Sequence, residues 1–374
     1  MNFALSDEQE FLKEAARGAL SRFGTVTAAR DALDGAALPD LWPTAVEAGW
    51  PGLLVSEDNG GAGLSLLEAS LVFEELGRVL ASTPLLGHLP ASLLLDRAGA
   101  GDLVGALAAG ATRAAFVPAR PPTDLGEGWS VDPALGLTRG PAPAYAGGRL
   151  SGTVAWVPDA PGAEHFIVVL DDGRAAHVLA ADARVEPATI YDVTRALGHV
   201  TFEAVPATLL ELGAGDTAAA WYVAQALLAA EAVGAIDVAL AASVAYAKER
   251  HTFGRAIGSY QAVKHELVEM LRGLDNARSL MYYAGWAAQN EPDELALAAS
   301  AFRLAAGKAF DHAARAQISV HGGIGATWEH DAPLYFRRAQ LSRRLLGGTA
   351  GAADRVAGEL LTTARTRNAA AAAA

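Results

Sequence analysis

A chain of 374 residues with a formal charge of −13 and a sequence pI of about 5.1 is a poor default partner for nucleic acid, because neutralising phosphates takes a basic surface. It contains no cysteine, which excludes disulfides, thiolate nucleophiles and cysteine–metal sites. Hydrophobic residues make up 52%, many of them alanine, which favours helix and close helix packing over bulky core volume.

The length suffices for two or three domains or one multilayered subunit. Met1-Asn2-Phe3-Ala4 lacks the basic-then-apolar pattern of a secretory signal. Charge-free stretches such as Ala218 to Ala230 fall short of the roughly 18 apolar residues that a membrane span needs. The expectation is a cytoplasmic protein without a membrane span.

Residues 1–112 read as an N-terminal helical domain. Ser6-Asp7-Glu8-Gln9 has the form of a capping box. Leu67, Leu71, Phe73, Leu76 and Leu80 recur at helical spacing, with Glu68, Glu74 and Glu75 falling between them. Asp58 to Gly63 holds three glycines in four positions and must be a loop. Residues 113–213 change character. Short β-type runs (Leu150 to Val157, His165 to Leu170, His177 to Leu179, Val200 to Val205) and turns such as Asp171-Asp172-Gly173 predict a middle antiparallel β domain, with Pro118 to Pro122 as an exposed connection.

Residues 214–367 return to helix and predict a C-terminal four-helix bundle. Thr217 to Arg250 runs without a proline and spans on the order of 50 Å. Leu227, Ile236, Leu240 and Val244 mark its buried stripe, and Gly234 permits a close helix crossing. Gln261 to Gln289 and Asp293 to Val320 supply further long helices. Residues 368–374, Asn368 and six alanines, read as a low-complexity, frayed tail. The class is α+β, mainly α.

Three motifs carry a resemblance over essentially the whole chain. Leu54-Val55-Ser56-Glu57-Asp58-Asn59-Gly60-Gly61-Ala62-Gly63, with Glu74-Glu75-Leu76-Gly77-Arg78, is the first. Arg250-His251-Thr252-Phe253-Gly254-Arg255, followed by Gln261-Ala262-Val263-Lys264-His265, is the second. His321-Gly322-Gly323-Ile324-Gly325, leading into Trp328-Glu329-His330, is the third. Together they resemble the acyl-CoA dehydrogenase family. The resemblance implies that family's fold, an FAD cofactor, an acyl-CoA or acyl-carrier thioester as substrate, and an obligate oligomer in which these elements bind mainly the neighbouring subunit's FAD.

The chemistry agrees with that implication. Arg250 offers a planar fork to phosphate oxygens, Phe253 a flat face to a ring, and Gly322 and Gly323 close backbone approach with N–H donors. A bland reading has Arg250 only capping a helix C-terminus and the glycines only turning the chain. Thr252, Gln261 and Ser319 join the cofactor-binding set by position in the motifs, although Ser319 stands where the family usually has Gln, with Gln317 displaced by two.

Acyl-CoA dehydrogenation takes the α-proton of a thioester as a proton and the β-hydrogen as a hydride, so a carboxylate must face the α-carbon opposite the flavin. Where most members carry that Glu before Gly-Thr, this chain has Gly347. The alternative position, early in the long helix, is Ala224, and the neighbouring substrate-binding Arg is Gln225. No counterpart of the family's Thr-Glu-Pro-x-Ala-Gly-Ser-Asp loop is recognisable near Pro118 to Gly128. Trp156 matches a flavin-side Trp, with an ordinary strand aromatic as the bland alternative, and Pro158 replaces a hydroxyl residue.

Three readings follow. The chain is a non-catalytic subunit that supplies half of an interface FAD site to a homologous catalytic partner, in a heterodimer or heterotetramer. Alternatively it is a self-sufficient dehydrogenase with a non-standard base. Glu231, two helical turns beyond Ala224, is one candidate; Glu329 and Asp331 are others, each also a natural ion-pair partner of Arg337, Arg338 or a neighbouring helix. The third reading is a flavin-free scaffold. Arg343-Arg344 after Arg337-Arg338 suggests a coenzyme A phosphate patch, with a solvated helix face or a subunit contact as the bland alternatives. His165, His177 and His199 lie on separate predicted strands without paired spacing, which argues against a metal.

Overall fold

The structure, a computed structural model, describes residues 4–118, 130–131 and 142–373. Helices α1 (Asp7–Leu20), α2 (Thr25–Ala32), α3 (Trp42–Glu47), α4 (Leu66–Arg78), α5 (Leu85–Arg97) and α6 (Asp102–Ala108) come first. The Ser6/Gln9 capping box forms as the sequence requires, and Ser65 with Glu68 makes a second one at α4. The middle segment holds β1 (Ala114–Val117), β2 (Ala144–Ala146), β3 (Arg149–Pro158), β4 (His165–Val169), β5 (Ala175–Leu179), β6 (Arg184–Pro187), β7 (Leu197–Pro206) and β8 (Thr208–Leu209). Then follow α7 (Ala214–Glu249), a ribbon of β9 (His251–Thr252) and β10 (Arg255–Ala256), and helices α8 (Gln261–Asn290), α9 (Leu295–His321), α10 (Ala332–Ser342) and α11 (Gly348–Ala373).

Among the described residues, eight middle strands form two four-stranded sheets, ordered β1-β4-β5-β8 and β2-β3-β7-β6. All pairs are antiparallel except β1 with β4, which is parallel. The chain leaves β1, crosses to the other sheet for β2 and β3, and returns to β4 in its original direction, as a parallel pair demands. Ala115, Val117, Phe166 and Val168 face the core between the sheets, while Ala114, Phe116, Ile167 and Val169 alternate onto the helices. A sheet buried on both faces explains why these strands read as unbroken apolar runs.

Helix α7 lies at the centre of the helical layers and packs on α4, α5, α8 and α9. Trp221 to Ile236 is buried on every side, whereas Leu240 and Val244 of the expected stripe are only half-buried. By length and apolarity α7 would cross a membrane, but 67% of its most apolar window is covered by protein, so packing accounts for its composition. The expected crossing at Gly234 is reciprocal. A Cβ on Gly234 would stand 1.8 Å from the Glu74 carbonyl oxygen, and one on Gly77 would stand 1.9 Å from that of Glu231. Helix α11 runs on through the alanines to Ala373, as alanine's helix propensity favours.

Glu74 and Glu75 are fully buried rather than solvated. Lys13 and Arg278 bond Glu74 at 2.5 and 3.0 Å, and Arg17 bonds Glu75 at 2.9 Å. These pairs tie α1 and α8 to α4.

Where α5 meets the β domain, two buried titratable groups oppose each other in pH dependence. Burial pushes the His88 imidazole down to about 4; its neutral ring accepts from the Ala114 N–H at 3.3 Å. That contribution is present above pH 6.5 and is lost as pH falls towards 4. Burial pushes the Asp159 carboxyl up to about 6, while it accepts from the Gly87 N–H at 2.7 Å. Its contribution is intact below pH 4 and is lost as pH rises through 6, by up to about 3 kcal/mol. Asn keeps the acceptor and tolerates the φ of 60° here. Asp159→Asn should therefore raise the melting temperature at pH 8, and thermal scans should show the gain vanishing by pH 4.

Candidate functional site

Two exposed elements meet at one end of the bundle. Helix α7 stops at Glu249, and Arg250 turns extended, its N–H donating to the Tyr246 carbonyl at 2.8 Å. The β9–β10 ribbon follows, with Phe253 (φ 49°) and Gly254 (φ 81°) at its tip. Phe253 is 93% exposed, an unfavourable display of an apolar ring in a left-handed backbone. The Tyr260 hydroxyl braces the ribbon by donating to the Thr252 carbonyl at 3.0 Å, and Arg255 lies over the Tyr260 ring at 4.1 Å. Among the described residues no carboxylate pairs with the exposed Arg250 guanidinium.

The second element is the turn after α9. Gly322 adopts φ 64°, and Gly322 and Gly323 are both exposed with open space where a Cβ would stand. Ser319 is exposed and lines a cleft of about 390 Å³ between α8 and α9 with Ala262, Val263, Glu266, His312 and Arg315. Gln317 is buried with an unpartnered Oε1, so it cannot stand in at the surface. Gln261, the first residue of α8, is exposed. An unneutralised guanidinium, a bare aromatic face and open glycine amides fit an anionic dinucleotide.

The two positions where a base is expected come together in the interior. The Gln225 Nε2 donates to the Leu346 carbonyl at 2.8 Å, which brings Ala224 and Gly347 into one neighbourhood. Ala224, Gln225 and Gly347 are all buried. Leu346, Gly347 and Gly348 take three successive positive φ angles, 49°, 79° and 61°. The buried Arg303 holds the same turn through the Ser342 and Leu345 carbonyls. No carboxylate is offered at either base position.

Glu231 is buried, and its Oε2 accepts from both Arg195 and Arg338. Two guanidinium groups compete with a substrate proton for the same oxygen. Arg338 also donates to Asp192 at 2.8 Å and to the Thr194 carbonyl at 2.9 Å, so it knits α7, α10 and the β domain together. Asp331 pairs with Arg30 of α2, not with Arg337 or Arg338, and Glu329 is exposed.

Other expectations change in detail. Of the four arginines, Arg338 is buried and stands apart from the surface; Arg337 lies over Trp328 at 4.6 Å and bonds the Tyr191 carbonyl, Arg343 and Arg344 also act on Tyr191, and Arg343 lies 3.9 Å from Asp311. Trp156 packs against the hydrophobic core. It sits at a β3 bulge with φ 59°, half-buried and edge-on to His199 at 4.8 Å, strain of the kind that collects at functional positions. His165 and His177 are in fact paired, Nδ1 to Nε2 at 3.0 Å, because β4 and β5 run antiparallel. Among the described residues no group of three ligands could hold a metal. The substrate-loop segment of residues 119–128 and the connection beyond Pro118 lie outside the described residues.

Helices, a two-sheet domain and a long-helix bundle, with this pair of exposed motifs, define a flavin-dependent dehydrogenase architecture. Residues 6–100 match the N-terminal domain of acyl-CoA dehydrogenases and residues 218–362 the C-terminal domain; the chain belongs to the acyl-CoA dehydrogenase family. It is 33% identical to acyl-CoA dehydrogenase IpdE2 of Mycobacterium tuberculosis, over 91% of this chain and 93% of that one. A variant of the Tcur3481–Tcur3483 steroid ACAD superposes with a TM-score of 0.83 at 28% identity, covering 96% of this chain and 99% of the other. The ChsE4–ChsE5 complex from Mycobacterium tuberculosis gives 0.82 at 23% identity with the same coverages and shares the fold.

Proposed function

We propose that this chain is the non-catalytic subunit of a heteromeric acyl-CoA dehydrogenase, acting on an acyl thioester through a homologous catalytic partner. One contrast carries the reading. Groups that can clasp a neighbour's dinucleotide stand exposed, while Gly347, Ala224 and Gln225 fill the interior where a proton-abstracting carboxylate is needed and Glu231 is bound by two arginines.

Bound FAD would supply the hydride acceptor. This chain's part is to hold it: Arg250 through phosphate oxygens, Phe253 against a ring, and Gly322 and Gly323 by backbone N–H donation, with Thr252, Gln261 and Ser319 flanking. Two solved structures of this fold carry two-component names, ChsE4–ChsE5 and Tcur3481–Tcur3483, which supports a two-chain assembly here.

Co-expression with a homologous dehydrogenase partner, followed by flavin counting per unlike pair, tests the proposal. Arg250→Ala should cut the flavin content of that pair while leaving the melting temperature of the isolated chain within about 1 °C, because the guanidinium is exposed and makes no ion pair among the described residues. Gly347→Glu should yield no dehydrogenase activity in the isolated chain. A new carboxylate in that turn would still face Gln225 instead of a substrate-binding arginine. Turnover of any acyl-CoA by that variant would contradict the proposal.

A further inference from the structure

Between the two exposed elements stands a column of three rings. Tyr246, on the last turn of α7, stacks on His321 at the end of α9, with centroids 4.5 Å apart and planes at 29°. His321 in turn packs on His330, 4.2 Å away. Tyr246 accepts the Arg250 N–H, and His321 directly precedes Gly322. The column therefore spans from the residue that anchors Arg250 to the residue that launches the glycine turn, and the loop after that turn returns to cap it.

The hydrogen bonds set the proton positions. The His321 Nδ1–H donates to the Gln317 carbonyl at 2.8 Å, and this ring is buried. The His330 Nδ1 accepts from the Ala332 N–H at 3.0 Å, so its neutral form carries the proton on Nε2. We infer that His321 and His330 are positioning residues, a neutral ring stack that fixes the separation between the Arg250 guanidinium and the Gly322–Gly323 amides and so sets the grip on a dinucleotide pyrophosphate. This rests on the flavin-sharing reading above.

The stack works only while it is uncharged. Adding a proton to His330 Nδ1 displaces the Ala332 N–H and sets a cation 4.2 Å from the His321 ring. Burial already holds the His330 imidazole below its ordinary range, with His321 acting in the same direction. The charged groups acting on it are Asp331 beside it and Arg30 from α2, which pairs with Asp331, while Tyr246 of α7 stacks on His321. Asp331 favours the imidazolium and Arg30 opposes it, so burial and His321 set the net downward direction. A charged column pushes its rings apart, and the phosphate grip opens.

The test uses the co-expressed pair with His330→Ala and His330→Phe, reading the flavin dissociation constant from about pH 7.5 to pH 5. The parent pair should lose flavin affinity as pH falls through that window. His330→Ala should weaken flavin at pH 7.5 by about tenfold, or about 1.4 kcal/mol, whereas His330→Phe, which restores a ring without a proton site, should recover affinity and flatten the acid loss. A merely structural role would move melting temperature and not the pH profile. Unchanged affinity in His330→Ala, or a His330→Phe profile that falls like the parent's, overturns the inference alone. A parent pair without flavin at any pH overturns the flavin-sharing reading and this inference with it.

Discussion

Replacing Arg338 with Met should destabilise the chain by about 3–5 kcal/mol, a fall on the order of 10 °C in melting temperature for a protein of this size. The guanidinium is 1% exposed and reaches Asp192, Glu231 and Thr194. Its removal takes a guanidinium from two buried carboxylates: Glu231 retains Arg195, whereas Asp192 keeps only the uncharged Thr194 N–H and hydroxyl as hydrogen-bond donors. The cost is the desolvation of the stranded charges more than the value of the bonds. A double variant, Arg338→Met with Asp192→Leu, should therefore recover part of the loss, and thermal or urea unfolding of the four-member cycle measures how much. Additive losses would show that the network is not coupled.

The second large effect inverts a helix-propensity rule. Gly→Ala inside a helix ordinarily stabilises by up to about 1 kcal/mol. At Gly234 the added methyl carbon would stand 1.8 Å from a backbone oxygen of α4, and at Gly77 1.9 Å from one of α7. Backbone atoms of two long helices cannot rotate away as a side chain can. Each substitution should therefore cost about 3 kcal/mol or more, at or beyond the usual range for overpacking. Gly358→Ala in α11, where nothing lies within 4 Å, is the control and should be neutral or mildly stabilising. Equal unfolding midpoints for Gly234→Ala and Gly358→Ala would mean that the crossing is looser than described.

Local signals in the sequence foretold much of this fold. The capping box at Ser6, the long proline-free helix, the strand runs and the crossing at Gly234 are encoded within a few residues of where they act. What escaped a linear reading depends on partners distant in the chain. Glu74 and Glu75 look like a solvated face until Lys13, Arg17 and Arg278 arrive from other helices. Arg195 and Arg338 carry no local mark of their joint hold on Glu231, 36 and 107 residues away. His165 and His177 become neighbours only through strand register, and Tyr246, His321 and His330 become a column only when two helix ends and a loop converge. The motif residues Arg250, Phe253, Gly322 and Gly323 were readable because each lies in a compact, sequence-local turn. The parallel β1–β4 pair was not, since its crossover passes through the other sheet.

The measurement that bears most directly on the central claim is flavin per chain, taken by absorbance on the purified protein alone and again after co-purification with a homologous dehydrogenase subunit. We expect little flavin on the chain alone and about one per unlike pair, with acyl-CoA bleaching the flavin only in the pair. A yellow homo-oligomer of this chain that bleaches on acyl-CoA by itself would contradict the account.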